Sequence, residues 1–231
     1  MSIALITGGS RGLGRALVLA LADAGWTVVT DARDAAALAD LDHPRIHAVA
    51  GDITDAGHRA ALLATLTGLG GLDLLVHNAG TLGPSPLPRL EELSIDDLAA
   101  VWRPNIGAPL VLTATLLPLL VASRGALVGV TSDAAVEHYP GWGLYGASKA
   151  ALEHLVLQYA AENPAITGYA VDPGDMRTRM HQDAFPGEDI SDRPLPEAVV
   201  PHLLALLAER PPSGRHRLSE VAVPSIDGSA A

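Results

Sequence analysis

Short apolar runs alternate with longer amphipathic stretches along most of the 231-residue chain. The runs are as long as buried strands, and the stretches between them are as long as helices. This alternation predicts βαβ units, and therefore a parallel sheet covered by helices. Strands are predicted at residues 3–7, 27–30, 46–49, 72–77, 126–131 and 166–171, with an edge strand at 215–218. Helices are predicted near residues 13–24, 55–67, 95–121, 144–162 and 197–208.

The length and composition suit one α/β domain over residues 1–231, with no room for a second enzyme domain. A net charge of −11 argues against nucleic acid as a partner, because phosphate contacts need clustered Lys and Arg. The one long apolar run, 106–122, contains two prolines and is too short for a full span, so we expect no membrane insertion. A strand is predicted where a signal peptide would lie, and we therefore expect a cytoplasmic protein.

Residues suited to binding or catalysis follow most of the predicted strands. Ligands of open parallel sheets bind at the carboxyl ends of the strands. The sequence places glycines after the first strand, Asp52 after the third, residues 78–80 after the fourth, Ser132 after the fifth and Pro173-Gly174 after the sixth. We therefore expect one functional site along this edge of the sheet.

The segment TGGSRGLG at residues 7–14 joins the first predicted strand to the first predicted helix. Gly8, Gly12 and Gly14 allow a tight turn, close approach to a pyrophosphate, and close packing of the helix on the strand. The helix N-terminus offers free N–H groups and a partial positive charge to phosphates. A tight βα turn alone would also explain the glycines, but their place at the start of an α/β chain favours dinucleotide binding.

Lys149 is the only lysine of the chain, and it lies four residues after Tyr145. Residues spaced by four share one face of a helix, so the ammonium can lie beside the phenol. A nearby positive charge favours the phenolate, and we therefore expect Lys149 to lower the pKa of Tyr145. Tyr145 is then a candidate general acid and base, although such a pair also occurs by chance on solvated helices.

The glycine spacing Gly-x-x-x-Gly-x-Gly is similar to that of the short-chain dehydrogenase/reductase family, which the chain resembles over nearly its whole length. The resemblance implies a Rossmann-type doubly wound parallel sheet with helices on both faces, in a single domain. The segments that carry it are TGGSRGLG at 7–14, GDIT at 51–54, HNAG at 77–80, Asn105, Ser132, YGASK at 145–149 and DPGDMRT at 172–178.

The resemblance also implies roles for individual residues in an NAD(P)-dependent oxidoreductase. Tyr145 would give a proton to the alkoxide formed by hydride transfer, Lys149 would hold the nicotinamide ribose, and Ser132 would donate a hydrogen bond to the substrate carbonyl. Asn105 would position a water that connects Lys149 to solvent. The implied cofactor contacts are Gly8, Ser10, Arg11, Gly12, Leu13, Gly14, Arg33, Asp52, Ile53, Asn78, Ala79, Gly80, Tyr145, Lys149, Pro173, Gly174, Met176 and Thr178.

The choice between NADP(H) and NAD(H) depends on the residues just after the second strand. A carboxylate there would hold two ribose hydroxyls and select NAD, whereas an arginine would pair with the 2′-phosphate of NADP. In the family pattern the selective arginine falls at Arg33, and Arg11 matches a second basic position, so NADP(H) is favoured. A small shift of the strand end would instead bring Asp31 to the ribose and favour NAD(H).

Two departures from the family pattern concern the site. Pro104 precedes Asn105, and it can either reinforce an irregular helix there or displace the asparagine side chain. His77 replaces the first Asn of the usual Asn-Asn-Ala-Gly, and a His at a strand end is more often structural than catalytic. None of the nine histidines has a spacing suited to a metal site, so we expect no metal.

The substrate pocket is expected between Ser132 and Tyr145. The residues predicted to line it are Asp133, His138, Tyr139 and Trp142. The low aromatic content does not suggest a pocket for large flat rings, and a small or medium ketone or aldehyde is the predicted substrate class.

The function predicted from these residues is NADPH-dependent reduction of a carbonyl compound. The alternatives are an NAD-dependent alcohol dehydrogenase and a non-catalytic dinucleotide sensor, against which the intact set Ser132, Tyr145 and Lys149 argues. By resemblance, helices 95–121 and 144–162 pair across a two-fold axis, which predicts a homodimer and leaves a homotetramer open. The tail at residues 226–228 admits two registers and gives no guide to assembly.

Overall fold

The computed structural model describes residues 2–223, so the tail at residues 226–228 lies outside the described part. Seven parallel strands form one sheet in the order β3-β2-β1-β4-β5-β6-β7. This confirms the predicted parallel sheet, including its edge strand near residue 215. The strands are β1 (Ile3–Thr7), β2 (Thr27–Ala32), β3 (Ile46–Ala50), β4 (Leu74–His77), β5 (Ala126–Val130), β6 (Thr167–Asp172) and β7 (Gly214–Arg217).

Helices connect these strands. They are α1 (Gly12–Asp23), α2 (Ala35–Ala39), α3 (Ala56–Leu69), α4 (Ile95–Trp102), α5 (Ala108–Ser123), α6 (Gly143–Glu162), α7 (Arg179–Ala184) and α8 (Pro196–Glu209). The five predicted helical regions are present, and the short helices α2 and α7 were not predicted. Each of these two covers little more than one turn, which is too short for apolar periodicity to be visible in the sequence.

The helices cover both faces of the sheet because alternate strand residues point in opposite directions. On β1, Ala4 and Ile6 join the core formed with α1 and α8. Ile3 and Leu5 join the opposite core, which contains apolar residues of α3, α5 and α6. The doubly wound arrangement expected from the sequence is therefore confirmed.

The predicted helix 95–121 is instead two α-helices joined by a π-helical turn, Arg103–Gly107. Pro104 in this turn has no backbone N–H, so a regular α-helical hydrogen bond cannot form there. The combined stretch Ile95–Ser123 is the one described segment that is long and apolar enough to span a membrane by length and composition. In the fold, however, α5 buries Leu112, Leu116 and Leu120 in the core.

Chain order reverses between β1 and β4, which lie side by side although β2 and β3 come between them in the sequence. Loops after the two central strands therefore lead away to opposite sides and leave a crevice at the carboxyl edge. The glycine loop after β1 and the segment 78–80 after β4 meet at this crevice, which fixes the position of the site.

Candidate active site

The glycine loop begins the site. Gly8 and Gly12 have positive φ angles of 74° and 55°, a left-handed conformation that favours glycine. Gly14 serves packing instead, since a Cβ there would overlap the Gly8 carbonyl and the Asn78 side chain. No side chain among the described residues caps the start of α1, and its first two residues, Gly12 and Leu13, line the cleft. Such a helix start fits a phosphate group.

Asp31 supports the glycine loop from the neighbouring strand β2. It is the fifth residue of β2, and only 1% of it is exposed. Its Oδ1 accepts a hydrogen bond from the Gly8 N–H at 3.0 Å, and its Oδ2 lies 2.9 Å from Nε2 of the buried His58. Both carboxylate oxygens are therefore engaged inside the protein. The His58 partner was not anticipated from the sequence.

β2 extends two residues further than predicted, to Ala32, so Arg33 is the first residue after the strand. Arg33 lines the same cleft as Arg11 and Asp52. Asp52 accepts hydrogen bonds from the N–H and the hydroxyl of Thr54, each at 2.8 Å. These hydrogen bonds, with a smaller contribution from Arg33, hold the pKa of Asp52 below its usual value.

The segment after β4 is bound tightly to the glycine loop. Asn78 donates from Nδ2 to the Thr7 carbonyl at 2.8 Å, and the Thr7 hydroxyl accepts from the N–H groups of Asn78 and Ala79, each at 3.0 Å. His77 is fully buried with its Nε2 2.6 Å from the Thr113 hydroxyl. Burial lowers the pKa of His77 to about 3, so the imidazole is neutral. This agrees with a structural role for His77.

Tyr145 and Lys149 lie side by side near the start of α6, and both are buried. The Lys149 Nζ is 5.5 Å from the centroid of the Tyr145 ring and donates a hydrogen bond to the Val130 carbonyl at 2.8 Å. Burial lowers the pKa of Lys149 to about 8. Trp142 packs edge-on against the phenol ring, with the two ring centroids 5.7 Å apart.

The expected lowering of the Tyr145 pKa is wrong for the protein as it stands. Burial, followed by the carboxylates of Asp133 and Asp172, raises the pKa of this phenol above its usual value. The expectation considered the ammonium alone and neglected the loss of water around the phenol, which disfavours the phenolate. Tyr145 is thus held protonated, which is the form that a proton donor needs.

Ser132 follows β5 directly and faces the cleft with Tyr145. Its Oγ donates a hydrogen bond to Oδ1 of Asp133 at 2.9 Å and accepts one from the Ala134 N–H at 3.2 Å. The other carboxylate oxygen of Asp133 accepts from the Tyr139 hydroxyl at 3.0 Å. The Ser132 hydroxyl can redirect its proton to another acceptor while the Ala134 N–H keeps the oxygen in place.

Asn105 lies inside the π turn and is only 1% exposed. Its Oδ1 accepts from the Thr81 N–H at 2.9 Å, and its Nδ2 donates to the Thr81 carbonyl and to the Ser148 hydroxyl, each at 2.9 Å. Pro104 therefore accompanies an irregular turn that keeps the side chain inside. A Cβ on Gly80 would contact both the Asn105 amide and the Lys149 ammonium, so the two groups flank the same backbone position.

The last part of the site follows β6. Asp172 accepts from the Gly174 N–H at 3.1 Å, and Gly174 has a positive φ of 71°. Thr178 caps α7 by accepting a hydrogen bond from the His181 N–H at 3.2 Å. Pro173, Gly174 and Thr178 line the cleft together with Met176.

One cleft of about 860 Å³ is bordered by the glycine loop, Ser132, Tyr145 and Lys149, whereas Asn105 and His77 are not among its lining residues. Every residue predicted to contact the cofactor lines it except Gly14, and so do Ser132, Asp133 and Trp142. Tyr139 and His138 do not line it, although Tyr139 lines a neighbouring pocket together with Asp133. Their role as substrate contacts stays a prediction.

Several lining residues were missed by the sequence analysis. They lie on the loop after β4 and on the π turn, whose side chains no motif singled out: Thr81, Leu82 and Arg103. Their position close behind recognised segments was the only available signal. Within residues 2–223, no three His, Asp or Glu side chains are grouped to hold a metal ion.

The comparisons with known proteins agree with this geometry. A family model described as short chain dehydrogenase matches residues 2–189. An uncharacterised oxidoreductase of Saccharomyces cerevisiae is 34% identical over 194 residues, which cover 80% of this chain and 76% of that protein. Its crystal structure superposes with a TM-score of 0.86 at 27% identity, covering 96% of this chain and 98% of the yeast chain.

Two further proteins bear on the chemistry. A benzil reductase, (S)-benzoin forming, of Saccharomyces cerevisiae is 35% identical over 195 residues, with 78% of this chain and 74% of that protein covered. A short chain dehydrogenase from Shigella flexneri, solved in complex with NADP, superposes with a TM-score of 0.85 at 29% identity. The superposition covers 94% of this chain and 95% of the Shigella chain.

Proposed function

Because the chain belongs to the short-chain dehydrogenase family and is an NAD(P)-dependent oxidoreductase, we propose that it reduces a ketone or aldehyde with NADPH. The observation that carries the proposal is the convergence of Ser132, Tyr145 and Lys149 on the cleft that begins at the glycine loop. The benzil reductase among its relatives acts on a carbonyl compound, as its name states, which supports the same class of substrate. We further propose a single-domain protein located in the cytoplasm.

NADP(H) is the proposed cofactor rather than NAD(H). The residues fit a dinucleotide, since Gly8 and Gly12 open the loop and the start of α1 offers uncapped N–H groups. Arg33, directly after β2, and Arg11, in the glycine loop, both line the cleft, and two guanidiniums suit a 2′-phosphate. Asp31 already binds Gly8 and His58, which argues against a role in holding the ribose hydroxyls. The Shigella neighbour, solved with NADP, supports this choice.

The chain's own residues orient the substrate and supply the proton. When bound, the nicotinamide supplies the hydride. The Ser132 hydroxyl turns from Asp133 towards the substrate oxygen and stabilises the negative charge that develops there. Tyr145, held protonated by its surroundings, donates its proton to that oxygen. The buried Lys149 ammonium, 5.5 Å from the ring, then favours the phenolate that is left.

Thermal unfolding with NADPH and with NADH, each over a concentration series, tests the cofactor. A ligand at 100 times its Kd stabilises by about 2.7 kcal/mol, which moves the midpoint visibly. We expect NADPH to stabilise at a much lower concentration than NADH. The reverse order would contradict the role of Arg33, and no stabilisation by either would contradict the phosphate site.

A Tyr145→Phe variant tests catalysis against a role as a sensor. We expect turnover of a carbonyl panel to fall by about 10²- to 10⁴-fold, because the proton donor is lost. The midpoint shift caused by NADPH should persist, since the glycine loop is intact. Full retention of turnover would contradict the assignment of Tyr145 as proton donor.

We also propose a homodimer formed through α5 and α6. Leu110 and Val111 on α5 are 42% and 45% exposed, and the Tyr159 hydroxyl of α6 donates to the Leu110 carbonyl at 2.9 Å. Exposed apolar residues on adjoining helices suit a helix-to-helix contact between two copies. Sedimentation at micromolar concentration should give a dimer or a tetramer, and monomer alone would refute this proposal.

A further inference from the structure

Arg215 on β7 contacts three parts of the chain at once, although the sequence analysis assigned it only to an edge strand. Its Nη2 donates to the main-chain carbonyl of Ser132 at 3.1 Å and to Oδ2 of Asp172 at 3.0 Å. Its Nε donates to Oε2 of Glu153 at 3.2 Å. The arginine side chain is 20% exposed, and those of Glu153 and Asp172 are 17% and 5% exposed.

The three partners lie at the end of β5, at the end of β6 and on α6, which are the elements around Ser132, the Pro173-Gly174 loop and Tyr145. Ser132 follows β5, and Asp172 ends β6 directly before Pro173-Gly174. Glu153 lies on α6, one turn beyond Lys149. The Arg215 guanidinium therefore connects the end of β5, which carries Ser132, with the end of β6. It also connects both to α6, which carries Tyr145. A lysine cannot reproduce this geometry, because it lacks a fixed fork of donors.

We propose that Arg215 is a positioning residue, which fixes Ser132 relative to α6 and to the end of β6. The proposal rests on the carbonyl reductase function given above. Ser132 would contact the substrate through its hydroxyl. The hydrogen bond from Arg215 goes to the Ser132 carbonyl, so it restrains the residue and leaves the hydroxyl free for the substrate. Displacing a reacting group by about 1 Å can lower a rate by about 100-fold.

Arg215 also balances charge next to the proton donor. The charged groups facing Tyr145 are Lys149 on its own helix, Asp133 after β5 and Asp172 on β6, and both carboxylates raise the pKa of the phenol. Arg215 is the hydrogen-bonded partner of Asp172. Without it, the negative charge of Asp172 acts on Tyr145 with less compensation, and the pKa of the phenol rises further.

The test compares Arg215→Gln with Arg217→Gln. Arg217 lies on the same strand and faces the same carboxylate, but its Nε is 3.8 Å from Asp172 and its side chain is 44% exposed. For Arg215→Gln we expect kcat for ketone reduction to fall by about 10- to 100-fold. The KM for NADPH should change less than kcat, because Arg215 makes no hydrogen bond to the glycine loop and reaches the cofactor side only through Asp172.

Two further readouts separate positioning from simple destabilisation. The pKa of the Tyr145 phenol should move upward in Arg215→Gln, because the Asp172 carboxylate then acts on the phenol without its guanidinium partner. Arg215→Lys should restore the pKa of the phenol by restoring the charge, but not the full kcat. Hydrogen exchange of the segment after Ser132 should quicken in Arg215→Gln without any turnover, because the carbonyl anchor is lost.

The outcomes distinguish this inference from the function on which it rests. An inactive wild-type protein with every carbonyl tested would overturn the proposed function and the role of Arg215 with it. An active wild type whose Arg215→Gln variant keeps its kcat, its Tyr145 pKa and its hydrogen exchange would overturn the role of Arg215 alone. Equal losses in Arg217→Gln would also overturn it, because the effect would then be one of surface charge.

Discussion

Replacing Asp31 with asparagine tests whether this carboxylate supports the glycine loop or reads the cofactor ribose. The change keeps the shape of the side chain and removes its charge. In the structure the carboxylate is buried between the Gly8 N–H at 3.0 Å and the His58 ring at 2.9 Å. We therefore expect Asp31→Asn to destabilise the protein before any cofactor is added.

The expected magnitude follows from the two contacts. A hydrogen bond to a charged group contributes about 1.5–3 kcal/mol. Asparagine can still accept a hydrogen bond from the Gly8 N–H, but it lacks the negative charge that strengthens the contact with the His58 ring. A net loss of about 1.5–3 kcal/mol lowers the Tm of a chain of this size by roughly 3–12 °C. Because Gly8 is then held less firmly, NADPH and NADH should both bind more weakly, by a similar factor.

Differential scanning calorimetry and cofactor titration check these expectations. Asp34→Asn is the matched control, since Asp34 is exposed and caps α2 three residues after Asp31, and asparagine caps a helix about as well as aspartate. The control should melt like the wild type. An Asp31→Asn protein of unchanged Tm that loses affinity for NADH alone would refute the structural role and restore Asp31 as a ribose reader.

Two other substitutions give defined outcomes. Gly14→Ala should lower the free energy of unfolding by about 1–3 kcal/mol in urea, because the added Cβ would overlap the backbone of Gly8. Gly68→Ala in α3 is the control: its Cβ would meet no other atom, so it should be neutral or stabilising. The His77 pKa falls from 6.5 to about 3 on folding, so the unfolded chain binds more protons between these pH values. Stability is then lost as pH falls, by about 1.5–2 kcal/mol from pH 6.5 to 5, and His77→Asn should remove that part of the slope. Equal slopes in the two proteins would contradict a buried, neutral imidazole.

The sequence predicted the sheet and the position of the site well, because both follow from local patterns. Buried parallel strands are short apolar runs, and the glycine loop needs its glycines at fixed places. The ends of the strands were predicted less well than their centres. The end of β2 decides whether Asp31 or Arg33 is the first residue after the strand. Only the pairing of β2 with β3, which continues to Ala32 opposite Ala50, fixed where the strand stops.

Contacts between distant segments could not be read from the chain. His58 and Asp31 are 27 residues apart, and Arg215 is 83 residues from Ser132. Neither pair has a sequence signature, since each contact depends on how distant strands and helices pack in the folded protein. The pKa of Tyr145 was misjudged for the same reason, because burial is a property of the fold and not of the spacing to Lys149.

The buried Lys149 has a consequence for chemical labelling. It is the only lysine of the chain, and 3% of it is exposed. An amine-acylating reagent therefore finds a single side-chain amine in the whole protein, and that amine belongs to a residue lining the cleft. Its acylation rate reports how often the cleft opens to solvent, and mass spectrometry can follow it in the unaltered sequence without any engineered probe.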